Sequence, residues 1–343
     1  KKENCKKMKS KLFKITFSVA IGLFFLYLWS QWIDINLLTS YFKKIKISLS
    51  LLAFSFYLFS YWIRAYRWKI LLSTSQSIKQ KDSFAYLLAG NFINYLIPIR
   101  AGELAKCLLI KKNYQIQLSK SFPSVFIDKL FDTFGIFVII ILIPFIPIQL
   151  DSYLYTLIFL LIGVFLFGAS ILYFATIQED KVIKLLQSIF FFFPNHYKEK
   201  IHEFIELFIQ GTAIFKNHLN LLIPCILLTI SSVVCDSLFF WVLFKSFSQS
   251  IDFFYVLFGY TLIYLSYILP HPPAQIGSNE LIMVLIFSVG LGLSKEMVSA
   301  VMTFSHLITG IIVVAAGLIS ISYAGFKLMD FIKNGEKNEP TSE

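Results

Sequence analysis

Asn94-Tyr95-Leu96-Ile97-Pro98-Ile99-Arg100-Ala101-Gly102-Glu103 interrupts an apolar stretch running from 84 to 110. Pro270-His271-Pro272-Pro273-Ala274-Gln275-Ile276-Gly277-Ser278-Asn279-Glu280 interrupts a second one, from 252 to 292. Each stretch has a glycine in its first half (Gly90, Gly259), a proline break, then a glycine and a glutamate opening another apolar half. Proline lacks the backbone N–H that a continuing helix needs, so each stretch divides into two arms. Apart from 252–269, the arms are short for a crossing of about 30 Å. Both stretches read as re-entrant hairpins or as pairs of short crossings. Broken helices in an inverted repeat point to a substrate site near the bilayer middle, because non-helical backbone survives there only against protein or water. The competing reading is that Pro and Gly merely kink two packed helices, both residues being frequent in membrane spans.

The rest of the chain sets the context. Of its 343 residues, 57% are hydrophobic and only 15% charged, where a soluble domain has about 45–50% and about 25%. That excludes a disordered chain, a collagen-like repeat and an ordinary soluble enzyme. Six further segments have the length and apolarity of spans: 12–33, 48–70, 123–148, 153–176, 219–244 and 299–325. The fold class expected is therefore all-α: a polytopic integral membrane protein with six full spans plus two Pro/Gly-broken hairpins in a pseudo-inverted repeat. The first span follows seven lysines within 1–14 and ends at Trp29, Trp32 and Asp34 without a small-residue cleavage site, so it reads as a retained span.

Charge distribution gives the sidedness. With both termini placed in the cytoplasm, 23 of the 31 Lys and Arg fall on the inner side and 5 on the outer; Arg100, Lys106 and Lys129 lie within apolar segments. Such an excess is the positive-inside pattern, and it accounts for the net charge of +11 without nucleic acid. The chain is read as one transmembrane domain over 1–343, with a basic cytoplasmic N-terminus (1–11), a cytoplasmic loop (177–218) and a polar tail (333–343). In that loop Ile201, Phe204, Ile205, Phe208 and Ile209 recur at helical spacing among Lys and Glu, which reads as an amphipathic helix on the membrane surface. The four cysteines are scattered and form no CxxC pair, so neither a disulfide framework nor a metal site is expected. No nucleotide-binding loop or hydrolase motif occurs, and no cofactor or catalytic residue is expected.

Ionisable residues in apolar segments are the candidate site, since each costs about 2.5–3.5 kcal/mol at the bilayer centre on insertion scales. Arg100, Glu103 and Lys106 follow the first break at i, i+3, i+6 and can stack on one helix face. Asp128 and Asp132 share a face of the span 123–148 and need a cation from Arg100, Arg64, Arg67 or Lys106; Lys129 lies on another face. A hydrated helix start is the alternative for this acidic pair. Glu280 opens a half-helix behind Gly277. Asp236 is deep in 219–244 and must face protein or water. Arg64 and Arg67 lie at a cytoplasmic helix end, where they either snorkel to the interface or bind lipid phosphate. His271 and His306 read as structural.

Four motifs resemble a known family. Arg64-Ala65-Tyr66-Arg67-Trp68 is similar to its RxxRW signature, and Asn94 to Lys106 to its N-x-x-x-P-x-R-x-G-E segment. Asp128-Lys129-Leu130-Phe131-Asp132 resembles an acidic-basic-x-x-Asp motif, and Pro273 to Glu280 a P-G-G-x-G-x-x-E segment. Together they resemble the transmembrane region of lysylphosphatidylglycerol synthases, the flippase-like UPF0104 family. The family's Gly-Gly is Ala274-Gln275 here, which makes close backbone approach at that tip less assured. No segment resembles the soluble aminoacyl-transferase domain of the bifunctional synthases, so the resemblance implies lipid translocation rather than lysine transfer.

The expected substrate-binding residues are Arg100, Glu103, Glu280, Arg64, Arg67, Asp128, Asp132, Asn94, Gly102 and Gly277. Arg100, with Arg64 and Arg67, receives a lipid phosphate in this reading, while Arg100, Glu103 and Glu280 line one polar cavity. The expected partners are membrane lipids with an anionic or lipid-linked head group; a second copy or a separately encoded synthase are further candidates. The expected location is the cytoplasmic (inner) membrane of a bacterium. A membrane-embedded transferase and a non-catalytic accessory subunit are the alternative functions.

Overall fold

The computed structural model describes residues 20–74, 76–97, 101–142, 218–266 and 271–325, with isolated helical residues between 155 and 170. Outside the described residues lie the basic terminus, the tail, Arg100, most of the expected span 153–176 and the amphipathic loop except His218. All regular structure among the described residues is helical, and the chain is an all-α polytopic membrane protein.

Helix α1 (Ala20–Trp32) meets α2 (Ile35–Phe42) at 91°. Asp34 makes the corner: its carboxylate accepts from the Asn36 and Leu37 N–H groups at 2.8 and 3.2 Å, capping α2. Among the described residues, three helices have the length and apolarity of spans: α3 (Ile47–Ser73), α7 (Leu222–Ser246) and α10 (Lys295–Tyr323). Between α3 and α7 lie α4 (Gln80–Leu96), α5 (Gly102–Tyr114) and α6 (Leu118–Leu142); α8 (Phe253–Ser266) and α9 (Ser278–Met283) follow α7. A seven-residue π-helix, Val284–Gly290, continues α9.

Two of these bounds change the reading of the charges. Helix α3 runs past Arg67 to Ser73, so Arg64 and Arg67 lie about 9 Å or more inside its end at 1.5 Å per residue. Helix α6 begins at Leu118 rather than 123, so Asp128 and Asp132 sit near its middle. Neither pair is at a hydrated helix terminus.

Helix α10 serves as a ruler for both broken stretches. Along one half, Tyr323 donates to Asp82 at 2.8 Å near the start of α4. Further in, Gly317 abuts Phe92 and Gly310 abuts Tyr95. Helix α4, 17 residues or about 25 Å long, therefore ends opposite the middle of α10. Helix α5 returns along it, and its Asn113 donates to Tyr86 at 2.8 Å. From the other end, the turn at Gly292 and Leu293 joins the π-helix to α10, and the tip at Ala274 and Glu280 meets His306. His306 and Gly310 are one turn apart. The end of α4 and the turn at 274–280 thus approach the middle of α10 from its opposite ends.

Close backbone approach makes the first hairpin compact. A β-carbon at Gly102 would lie 1.9 Å from the Gly90 carbonyl oxygen, so the arms of α4 and α5 touch backbone to backbone. In the second hairpin Gly259 receives the Phe287 ring. Each hairpin packs in its own apolar cluster: Phe244, Val256, Met283, Phe287 and Val301 around the second, and Trp68, Ala89, Phe92, Leu109 and Ile110 around the first.

Gly102→Ala should lose about 1–3 kcal/mol of stability, the range for overpacking, read as a lowered unfolding midpoint in detergent. An unchanged midpoint would contradict the Gly90–Gly102 contact.

Candidate functional site

Arg64, Arg67, Asp128, Asp132 and Asp236 form one buried network at the crossing of α3, α6 and α7. Arg67 is fully buried. Its Nε donates to Asp128 at 2.8 Å, its Nη1 to Thr229 at 2.7 Å, and its Nη2 to Asp132 at 2.6 Å and to the Asp128 carbonyl at 3.0 Å. Arg64, one turn earlier on the same face, places Nη2 2.5 Å from Asp236 and donates through Nη1 to Ser60 at 3.1 Å. Its Nε faces Asp132 at 3.6 Å, too far for a hydrogen bond. Tyr260 donates to the same Asp236 oxygen at 2.7 Å, and the rings of Tyr61 and Tyr264 each lie 5.8 Å from the guanidinium carbon.

Helix α5 brings the next pair alongside. Lys106 Nζ lies 2.6 Å from Glu103 and 5.0 Å from the centre of the Trp68 ring, and Trp68 Nε1 donates to Ser124 at 3.4 Å. Lys129, half exposed, reaches Asp132 at 3.6 Å, which corrects its expected separation on another face: i, i+3 neighbours on a helix lie within reach. Four cations (Arg64, Arg67, Lys106, Lys129) and four carboxylates (Glu103, Asp128, Asp132, Asp236) make the described network electrically neutral. Arg67 and the acidic pair neither snorkel nor open a helix; the guanidinium donors are occupied by protein acceptors.

A second polar cluster lies at the tip of the other hairpin. Glu280 Oε2 accepts the Gly277 N–H at 2.9 Å, which ties the start of α9 to its first turn. Glu280 Oε1 lies 2.5 Å from His306 Nδ1, and His306 Nε2 lies 2.7 Å from the Ala274 carbonyl oxygen. Ala274 and Gln275 hold φ of 54° and 57°, the left-handed region that suits glycine. The tip keeps this conformation with Ala and Gln where the family pattern has Gly-Gly. Close approach is made instead at Gly277, φ 76°, where a β-carbon would lie 2.5 Å from the Gly22 carbonyl oxygen of α1.

The last turn of α4 separates the two clusters. Asn94 accepts the Gly102 N–H at 2.7 Å and points its amide at Glu103, 3.5 Å away. The next residue, Tyr95, sets its ring edge-on to His306 with centroids 6.5 Å apart. Glu103 and Glu280 thus belong to two clusters flanking one helix turn, rather than a single group, and Arg100 lies outside the described residues. Asp236, Lys106 and Lys129 are among the ionisable candidates of the sequence but not among the expected substrate-binding residues, His306 was read as structural, and Thr229 and Tyr260 were not singled out. The signal for His306 was present in the sequence. Ser299, Thr303, His306, Gly310 and Gly317 recur at spacings of three, four and seven on an otherwise apolar helix, a stripe of small and polar residues of the kind that packs membrane helices. Among the described residues no group of three or more His, Cys, Asp or Glu could hold a metal ion.

Removing Arg67 strands two buried carboxylates. Arg67→Met should cost about 3–5 kcal/mol, the range for breaking a buried pair, whereas Lys129→Gln at a half-exposed position should cost under about 1 kcal/mol. Equal losses in denaturant unfolding of the two variants would contradict the network.

These observations can be set beside known proteins. The chain is 26% identical over 269 residues to a UPF0104 membrane protein of Methanocaldococcus jannaschii, covering 76% of this chain and 80% of that protein. No solved structure matches it. Residues 15–317 match the family described as Lysylphosphatidylglycerol synthase TM region. That match takes in both hairpins and both polar clusters, and the chain belongs to this lipid-associated, flippase-like family.

Proposed function

We propose that this protein moves a phospholipid or a lipid-linked head group between membrane leaflets. The observation that supports this reading is that the end of α4, with Asn94 beside Glu103, and the turn at 274–280, with Glu280 beside His306, reach the middle of α10 from opposite ends. In this reading the two broken stretches are re-entrant hairpins of an inverted repeat among full spans, and their tips are where a head group crosses. Asn94, Gly102 and Glu103 line the path from one hairpin, Gly277 and Glu280 from the other. Arg100, read from the sequence, supplies the lipid phosphate contact. A guanidinium suits phosphate geometry. Arg64, Arg67, Asp128 and Asp132 hold the frame of the site, in which the buried Arg64 Nε is a donor not used in any hydrogen bond.

Sidedness follows from the lysines. The start of α4, the end of α5, the start of α6 and the end of α10 share one end of the molecule, with Lys79, Lys81, Lys111, Lys112 and Lys120 there. Placing that end in the cytoplasm follows the positive-inside rule and puts the mouth of the first hairpin inside.

The test is the full chain in vesicles holding a fluorescent anionic phospholipid, with an impermeant reductant outside. The protein should accelerate loss of the inner-leaflet signal, and Arg100→Gln should slow it at least tenfold while remaining folded. Vesicles no faster than empty ones would contradict translocation. Appearance of a new lipid product would support the transferase alternative, and normal movement by folded Arg100→Gln would remove the phosphate role of Arg100.

A further inference from the structure

Glu280 and His306 sit where an isolated charge is costly, and their hydrogen-bond geometry fixes a proton count. His306 Nε2 is 2.7 Å from the Ala274 carbonyl oxygen. A carbonyl oxygen only accepts, so Nε2 carries hydrogen. Glu280 Oε2 accepts the Gly277 N–H. That leaves His306 Nδ1 and Glu280 Oε1 facing each other at 2.5 Å, a separation that two lone pairs do not hold. One further proton lies between them, either on Nδ1 as an imidazolium–carboxylate pair or on Oε1 as a neutral pair. In both cases the pair has zero net charge.

We propose that Glu280 and His306 form a proton site that latches the tip of the second hairpin onto α10, and that release of this proton unlatches it. Without the proton, a carboxylate faces an imidazole lone pair, and one negative charge is left near the bilayer middle. The Nε2–Ala274 hydrogen bond then holds the tip against left-handed conformations at Ala274 and Gln275, both unfavourable for residues with a β-carbon. A protonated tip is closed and neutral; a deprotonated tip is anionic and free to move.

The titratable neighbours of the pair are a tyrosine and a second histidine. From α4 the neighbour is the Tyr95 ring. From the tip itself it is His271, whose Nδ1 lies 3.0 Å from Ser278 Oγ. Helix α1 presents Gly22, Phe25 and Leu26 to the tip. Tyr260 and Tyr264 of α8 face Asp236 and Arg64. The charged residues of α10, Lys295 and Glu296, are ten or more positions from His306, about 15 Å along the helix. Within the translocation cycle, on which this role rests, the proton would be the coupling ion: each opening of the tip releases one proton and each closing takes one up.

Ser278 is buried at the tip, with its Oγ donating to the Gln275 carbonyl at 3.0 Å. Ser278→Cys in the full chain in nanodiscs reads the latch through its reaction rate with an impermeant maleimide. Rates are normalised to the exposed Asn36→Cys, to remove intrinsic thiol ionisation, and corrected for labelling of the unmutated chain. The normalised rate should rise at least tenfold from pH 6 to pH 9. Glu280→Gln together with His306→Gln should make it independent of pH, because neither replacement titrates, whereas His271→Gln with the pair intact should leave the rise in place; a rise abolished by His271→Gln alone would overturn the assignment to the pair. A flat profile with both native residues present would overturn the proton site. In vesicles that move lipid, an imposed pH gradient should shift the leaflet distribution of labelled lipid at least twofold; an unshifted distribution would overturn the coupling role. A pH-dependent tip in a protein that moves no lipid would contradict translocation and leave the proton site standing.

Discussion

A charge in the hydrocarbon layer has to be answered from within the protein, and the architecture described above follows from that constraint. Arg67 is fully buried yet donates to Asp128, Asp132 and Thr229, which ties α3 to α6 and α7 at a single residue. Arg64 repeats the device one turn away with Asp236, and Lys106 with Glu103 joins α5 to the same assembly. Such pairs seldom add net stability over well-packed apolar residues. What they do supply is register: α3, α6 and α7 can slide past one another only by separating opposite charges in a medium of low dielectric.

Small residues do the complementary work on α10. Gly310 and Gly317 admit Tyr95 and Phe92, so α4 lies directly against the spanning helix and stops halfway along it. Gly90 and Gly102 let α5 return without spreading the hairpin. Lipid offers no hydrophobic drive for helix association, so such close approach carries the packing. The outcome is an apolar cluster around each hairpin, with Glu103, Glu280 and His306 close to where the arms end.

Much of this was legible in the sequence, because proline, glycine and intramembrane charge each have a direct physical consequence. The matched breaks at Pro98 and near Pro270 fall between α4 and α5 and between α8 and α9, and the acidic pair Asp128 and Asp132 demanded a cation that Arg67 supplies. Depth was less legible. Hydropathy ended α3 near residue 70 and began α6 at 123, since Lys69 and Lys120 lower the local average, and so the charges seemed terminal when both helices extend further. Partners far apart in the chain, Arg64 with Asp236 and Glu280 with His306, follow from helix packing that no local pattern encodes. Ala274 and Gln275 show a different limit: neither residue type signals the left-handed backbone, which the His306 bond to Ala274 and the contacts of Gly277 hold in place.

The central claim is that both hairpins end at mid-membrane, and depth is the quantity that decides it. Leu96 at the end of α4 and Ile276 at the second tip are both exposed, at 46% and 44%, so each can carry a spin label with little disturbance of packing. In nanodiscs, paramagnetic depth measurements should place both labels within about 5 Å of the bilayer centre, midway across a hydrocarbon layer of about 30 Å. A label at head-group depth at either position would mean that the helices cross completely, and would contradict the account.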